Sequence, residues 1–463
     1  MSRPVAPTAG EAPLAQVQAL MLAGRREEAL PMLRRLAAGA GGQPDLLSRC
    51  ATLFGQMGAH PDALDCYRRL FTLFPGHPDV LRGLAAAETA NGLLVEAEAH
   101  IDAAIAADPA DRDSWYNRAV LRRQTPEHNH IAALTEVAGR ETGRGVIPLA
   151  YALAKELEDI GEHAESFHWL KRGADARRAA LSYDVAADER AMALIAEVFS
   201  AEKLARRIDG ASDARPIFII GLPRTGTTLL ERMLGLHSTV TALGELTELP
   251  MAVTRAAGGN AKGETIRRAG EIDFAAFGRD YLRAVVGHAS LAEVTTDKLP
   301  SNFLYVGMLR LGLPSARIVH VRRRPLDSAY AIYKTLFRMG YPYSYDLVDL
   351  ARYFVAYHRL MDHWRMAAPG YLVDIDYEDL VGAPEATLRA LFERIDLAWE
   401  PEALDFHRQS GPVATASAAQ VREPIHTASV GAWRRHADAL RQFADHLRLA
   451  GIDPVTGEMP EAQ

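Results

Sequence analysis

Two cysteines, Cys50 and Cys66, are all that 463 residues contain. That excludes a disulfide framework and a cysteine-rich metal cluster, and it points to a reducing compartment. Both fall in helical pattern, where packing accounts for them. No apolar run approaches the roughly 18 residues of a membrane span. The opening Met1-Ser2-Arg3-Pro4 leads into no compact apolar core of a secretion signal. The expectation is a cytoplasmic chain with no membrane partner. Positive charge is not in excess either: 52 Lys and Arg against 59 Asp and Glu leave a net −7, so the basic footprint of a nucleic-acid binder is missing. His, Cys and carboxylate residues do not cluster at ligand spacing, and no metal is expected. His237 and His320 sit in or beside apolar pattern and read as packing residues. What is present, 48% hydrophobic and 24% charged residues, is ordinary globular composition, enough for about two to three domains with real cores.

The informative stretch begins at Arg215. Ile217 to Ile220 is a short apolar run that reads as a buried strand. Gly221-Leu222-Pro223-Arg224-Thr225-Gly226 reads as a loop, and Leu229, Leu230, Met233 and Leu234 fit one face of a helix. Strand, glycine loop and helix N-terminus bring free backbone N–H groups and the positive end of a helix dipole to one point, which suits a phosphate-like anion. The Gly221-to-Gly226 spacing is that of a P-loop, but Thr227 stands where the P-loop has its lysine. A kinase or NTPase holds β- and γ-phosphates with that lysine and Mg²⁺. Here the basic group is Arg224, inside the loop, followed by the hydroxyls of Thr227 and Thr228.

Beyond it, β-rich runs alternate with amphipathic stretches: Glu293–Thr296, Ile318–Val321 and Tyr371–Ile375 read as strands. The alternation predicts a parallel α/β sheet with helices on both faces. Ligands of such sheets lie outside the carboxyl ends of the strands, so the residues just after each strand carry the chemistry. After the first helix comes Gly244-Glu245-Leu246-Thr247-Glu248. Glu245 is placed to take a proton from an attacking hydroxyl; Glu248 is the alternative, and a pair of surface charges at a helix start is the plainer reading. Asp297-Lys298-Leu299-Pro300 follows the second strand, where Lys298 either neutralises charge on a leaving phosphate or is a solvated lysine in a capping turn. Arg322-Arg323-Arg324 follows the third, with Pro325 opening a helix, and forms a cationic site for a second anion.

The first 200 residues repeat themselves. Gly24, Gly58 and Gly92 recur at 34 residues, as do Ala29, Ala63 and Ala97, Pro75 and Pro109, and Asp79 and Asp113. This resembles the tetratricopeptide (TPR) repeat, whose helix pairs must stack to bury their apolar faces. A fourth unit starts near Ser114-Trp115-Tyr116 and degrades through Thr125 to His130. A further pair begins near Pro148 and carries Ala150, Leu153, Ala154, Leu157, Gly161, Ala164 and Phe167 at helical spacing. Ala191–Val198 offers a closing helix, and Asp209–Asp213 reads as a linker. The expected domains are 12–205 and 214–455. The array either presents a groove to a protein partner, with Trp115, Tyr116, Phe167 and Trp169 as wall or as packing, or braces the next domain.

Taken in order, the motifs resemble a known family. Pro223, Arg224, Thr225, Gly226, Thr227 and Thr228 are similar to the 5′-phosphosulfate loop of sulfotransferases that use PAPS (3′-phosphoadenosine 5′-phosphosulfate). Gly244-Glu245 and Lys298-Leu299-Pro300 resemble the Gly-Glu pair and lysine-proline segment of protein-tyrosine and related sulfotransferases. The Arg323 helix resembles the 3′-phosphate motif, with Ala331 where the family has serine and Ser328 as the nearby hydroxyl. Asp376-Tyr377-Glu378-Asp379-Leu380 with Pro384 resembles a strand-to-helix junction. Ser429 to His436 resembles the late Gly-x-Trp-Lys/Arg segment that folds over the nucleotide, with Trp433 packing beneath and Arg434 or Arg435 adding charge. The polar Val413–Thr427 stretch suits a mobile lid.

The whole resembles the bacterial TPR-sulfotransferases. The resemblance implies an α plus α/β chain: a TPR-like helical solenoid, then a P-loop-like parallel α/β sulfotransferase domain. It implies PAPS as co-substrate, PAP (3′-phosphoadenosine 5′-phosphate) as product and no metal. The acceptor is a hydroxyl on a peptide or protein, tyrosine included, or on a saccharide or small phenol. Glu245 is implied as base, Lys298 at the leaving oxygen, Arg224 and its loop on the phosphosulfate, and Arg323, helped by Arg322 or Arg435, on the 3′-phosphate. Two other classes compete: a P-loop kinase or NTPase, opposed by Thr227, and a TPR scaffold with a degenerate catalytic domain, for which Ala331 speaks.

Overall fold

The 34-residue period becomes three stacked helix pairs, Glu11–Leu22 with Arg26–Gly39, Pro44–Gln56 with His60–Leu73, and Pro78–Asn91 with Leu94–Ala107. This is a computed structural model, and it describes residues 11–210, 212–286, 294–338, 340–408 and 425–459. The expectations for Met1–Pro4, Ala211, Glu293 and the 413–424 part of the polar stretch lie outside those residues. Gly24, Gly58 and Gly92 follow the first helix of each pair at φ 71°, 67° and 81°, the left-handed turn that glycine enters at no steric cost. Ala29, Ala63 and Ala97 are buried, where a small side chain lets neighbouring helices close up. Cys50 and Cys66 are buried free thiols, and burial pushes the Cys66 thiol up to about 12.

The fourth unit keeps only its first helix in register. Asp111 caps Arg112–Val120 by accepting the N–H groups of Asp113 and Ser114. The chain then runs irregularly over 121–130, which takes in the breakdown expected from Thr125 to His130, and enters helices Ile131–Gly139, Val146–Ile160, His163–Ala179 and Val185–Val198. The first repeats bury a core of their own, from Leu14 to Leu70. From Trp115 onward the array instead shares one core with the second half: Trp115, Tyr151, Leu170 and Phe199 belong to the same buried cluster as Phe218, Phe303 and Trp364. The other end of the array returns to that half too. A Cβ at Gly24 would lie 3.3 Å from that of Ala284, on helix Phe274–Val286.

Five strands make the sheet: β1 (Ile217–Gly221), β2 (Val240–Ala242), β3 (Val294–Asp297), β4 (Arg317–Arg322) and β5 (Leu372–Asp376). All pairings are parallel, in the order β2-β3-β1-β4-β5. β1 is central and fully buried, which is why it reads as an unbroken apolar run. The chain leaves β1 toward β2 and β3 on one side and later crosses to β4 and β5 on the other, so the loop after β1 sits at the topological switch point. No helix of the described residues is long and apolar enough to cross a membrane.

His320 on β4 is a buried packing residue with its polar needs met. Its Nδ1 lies 2.6 Å from Asp374 Oδ1 and its Nε2 meets the Tyr357 hydroxyl, while Arg365 donates to both carboxylate oxygens of Asp374. His237 is likewise buried, its Nε2 2.9 Å from the Ala398 carbonyl. His436 is buried against Phe167 and Tyr330, and burial pushes its pKa down from 6.5 to about 4. Between those values the unfolded chain binds a proton that the folded chain refuses, so stability falls as pH drops through that window. The loss from this one group is on the order of 3 kcal/mol. His436→Phe is expected to flatten the decline, measured as urea-unfolding free energy at pH 7 and pH 4.5.

Candidate active site

The loop after β1 owes its shape to two glycines and one strained arginine. At Gly221 a Cβ would fall 2.7 Å from the Val321 carbonyl oxygen and 3.0 Å from Thr225 Oγ1, so only glycine lets β1 finish tight against β4. Arg224 at φ 66° and Gly226 at φ 101° turn the chain so that Gly226 caps helix Thr227–Leu234. A non-glycine residue at positive φ costs of order 1 kcal/mol or more and concentrates at functional sites. Thr225 Oγ1 donates to the Leu222 carbonyl at 2.8 Å and locks the turn. Pro223, Thr225, Thr227 and Thr228 are buried around it. Gly226→Ala would drive a Cβ to 2.5 Å from the Tyr377 ring. That variant is expected to lose roughly 1–3 kcal/mol of stability, read by urea unfolding, and to lose anion binding with it.

Two arginines meet here. Arg323, just past β4, donates from Nη1 to the Arg224 carbonyl at 3.0 Å and from Nη2 to the Ser429 carbonyl at 2.9 Å. Its guanidinium lies over the Tyr377 ring, 4.6 Å from the centroid, and Tyr377 Oη is 2.7 Å from Ser429 Oγ. Burial, with Arg323 alongside, pushes the Arg224 guanidinium down to about 10. Two like charges held together in a partly dry site favour a bound anion.

Helix Pro325–Tyr333 begins at the same place. Buried Asp327 accepts the N–H of Gly431 at 2.8 Å and of Trp433 at 3.5 Å, pinning the late segment beside the arginines. Trp433 is half-buried, with the Arg434 guanidinium 5.4 Å from its ring. Ser328 is buried, its Oγ donating to the Arg323 carbonyl at 3.2 Å, and Ala331 lies buried a turn further on.

The other expected cations are placed differently. Arg322 points to the exposed side, where it pairs with Asp376 Oδ2 at 2.7 Å across the β4–β5 register. Arg435 is exposed, and its charge falls on Tyr330 and His436.

The second pair lies across the same strand ends. Lys298 is fully buried and donates from Nζ to Glu245 Oε1 at 2.6 Å, while the Glu245 side chain remains 41% exposed. Its backbone N–H donates to the Gly244 carbonyl at 2.9 Å. Of the two glutamates weighed from sequence, Glu245 holds the lysine. The charge of Glu248 instead bears on Asp297, Tyr281 and Arg26.

Beneath the pair lies Glu231, buried on the helix that follows the loop. It accepts the Gly244 N–H at 2.9 Å and the Thr296 hydroxyl at 3.3 Å. Burial raises its pKa, against the pull of Lys298 and the Gly244 N–H and with the push of Glu245. Asp297, buried between the Tyr281 hydroxyl at 2.9 Å and the Asn302 amide at 3.2 Å, is raised well above the usual carboxylate range by burial. Sequence pattern assigns no role to Glu231 or Asp327, and places Tyr377 only within a strand-to-helix junction. A lone carboxylate among Leu229, Leu230, Met233 and Leu234 was the available signal for Glu231.

A glycine loop at the switch point of a parallel sheet, two neighbouring arginines and a lysine–glutamate pair thus lie beyond the carboxyl ends of the strands, where ligands of such sheets bind. Residues 216–401 match the sulfotransferase family, and residues 54–120 match the tetratricopeptide repeat. The chain thus joins a TPR array to a sulfotransferase-family domain. An uncharacterized protein of Aquifex aeolicus (strain VF5) is 32% identical over 312 residues, covering 64% of this chain and 41% of that relative, so the chain spans less than half its length. A putative protein-tyrosine sulfotransferase of Caenorhabditis briggsae is 26% identical over 253 residues, 51% of this chain and 89% of that one. Among solved structures, the sulfotransferase domain from the Synechococcus PCC 7002 olefin synthase aligns with a TM-score of 0.37 at 18% identity, covering 52% of this chain and 98% of that chain.

Proposed function

We propose that the protein moves a sulfuryl group from PAPS to an acceptor hydroxyl. The observation that carries this reading is the buried Lys298 held at 2.6 Å by a half-exposed Glu245, on the same strand edge as Arg224 and Arg323. The loop Pro223–Thr228 suits the 5′-phosphosulfate, since it ends at the N-terminus of helix Thr227–Leu234 with Arg224 inside it. Arg323, with Ser429 and Trp433 nearby, suits the 3′-phosphate and the nucleotide.

The acceptor oxygen attacks sulfur in line. A new S–O bond forms to the acceptor, the S–O bond to the 5′-phosphate breaks, and PAP leaves with that electron pair. Glu245 takes the acceptor's proton. Once it does, Lys298 loses its counter-charge and is free to neutralise the oxygen that PAP retains. Glu231 remains below as the second carboxylate facing the lysine.

The acceptor class is a peptide or protein hydroxyl, tyrosine included. Support comes from the repeat array beside the site and from the name of the nematode relative. Incubation with radiolabelled PAPS and native lysate tests this. Label in the protein fraction is the expected outcome, and label confined to saccharides or small phenols would overturn the acceptor assignment.

A further inference from the structure

Helix Val146–Ile160 of the array carries a charged side chain that reaches across to the sulfotransferase-family domain. Glu158 accepts from the Tyr330 hydroxyl at 2.9 Å and from Lys334 Nζ at 2.8 and 3.0 Å. Tyr330 and Lys334 sit at the end of helix Pro325–Tyr333, and the start of that helix carries Asp327. The array grips the same place with rings. Phe167 stacks on Tyr333, with centroids 5.9 Å apart, and lies 5.1 Å from His436. His163 meets His436 edge-on at 5.9 Å, and Tyr330 lies 4.7 Å from it on the other side. Tyr151 donates from its hydroxyl to the Tyr333 carbonyl at 3.3 Å. Helix Pro325–Tyr333 is therefore a short rod of about 13 Å. One end is clamped by the repeats. The other holds Gly431 and Trp433 through Asp327, one turn away from Tyr330.

We propose that Glu158 is a positioning residue for the donor pocket: by holding Tyr330 and Lys334 it fixes the helix that places Asp327 and segment 429–433 beside Arg323. The repeat array is then a working part of the donor site as well as a surface for partners. A partner that shifts helices 146–179 changes nucleotide affinity, because ligand affinity follows the population of the competent arrangement. The donor's identity rests on the function proposed above; the mechanical link does not.

The full chain is compared with Glu158→Gln, which keeps shape and loses charge, and with Lys334→Met, which removes the partner from the other side. Glu136→Gln, in an exposed pair with Arg140, is the control. Two readouts are taken: calorimetric titration with PAP, and hydrogen exchange at the amides of Gly431 and Trp433. Both test variants are expected to weaken PAP about tenfold and to speed exchange at those two amides, with Glu136→Gln changing neither. Wild-type affinity and wild-type exchange in folded Glu158→Gln and Lys334→Met would overturn the proposal. So would a lowered melting temperature with both readouts unchanged, which marks a purely structural contact. Should Glu158→Gln fail to fold, Lys334→Met decides alone. Should wild-type protein bind no PAP, the donor assignment falls, and the exchange readout still decides the link.

Discussion

Lys298→Ala is expected to lower the sulfuryl-transfer rate by about 10²- to 10³-fold while leaving the Michaelis constant for PAPS nearly unchanged. The reason is where the charge is needed. The ammonium is fully buried and already committed to Glu245 at 2.6 Å, so in the ground state its charge is balanced within the protein. In the proposed mechanism it becomes available to the leaving phosphate oxygen only as Glu245 takes the acceptor's proton, which makes its contribution specific to the transition state. Glu245→Gln is expected to lose a similar factor by a different route: the amide still receives the lysine's hydrogen bond but accepts no proton. Rapid-quench measurement of single turnovers separates these losses from changes in binding. Full activity in both variants would remove the assignment.

Arg323→Ala is expected to weaken PAP binding by about 10- to 100-fold, matching the roughly 1.5–3 kcal/mol of a hydrogen bond to a charged group. The side chain does two things at once. It supplies charge beside Arg224, and it ties the Arg224 and Ser429 carbonyls together at 3.0 and 2.9 Å. Arg323→Lys is expected to rescue little, because a single ammonium cannot span both carbonyls and lie flat over the Tyr377 ring. Arg322→Ala gives the contrast. Its exposed pair with Asp376 is of the kind that contributes less than about 1 kcal/mol, and PAP affinity is expected to stay within about twofold. Calorimetry on the three variants checks the ordering, and equal losses at 322 and 323 would contradict it.

That contrast also marks how far residue order alone reaches. The strand-loop-helix at Ile217–Leu234 was legible because a buried central strand, a glycine loop and a helix face each leave a local pattern. The repeats were legible because stacking imposes one interval on Gly24, Gly58 and Gly92. Arg323 stands out from Arg322 and Arg324 in the sequence only through its resemblance to the 3′-phosphate motif, not through a local pattern of its own. Alternation sends neighbouring strand residues to opposite faces, and which face meets the loop depends on Asp376 lying in register beside Arg322. β2 was missed because three residues, Val240–Ala242, carry no period. Glu231 was missed because a buried carboxylate on a helix is explained only by what closes over it, here the Gly244 amide and Thr296. Nor did pattern reveal that helices from Trp115 onward would share a core with the sheet, since an amphipathic face does not name its partner.

The central claim is a pocket for a nucleotide charged at both its 3′ and 5′ positions, and titration calorimetry of the full chain with PAP and, separately, with ATP and Mg²⁺ tests it most directly. A saturable PAP isotherm is expected, weakened about 10- to 100-fold in Arg323→Ala, with no comparable heat from ATP with Mg²⁺. Tight ATP·Mg²⁺ binding with none for PAP would contradict it.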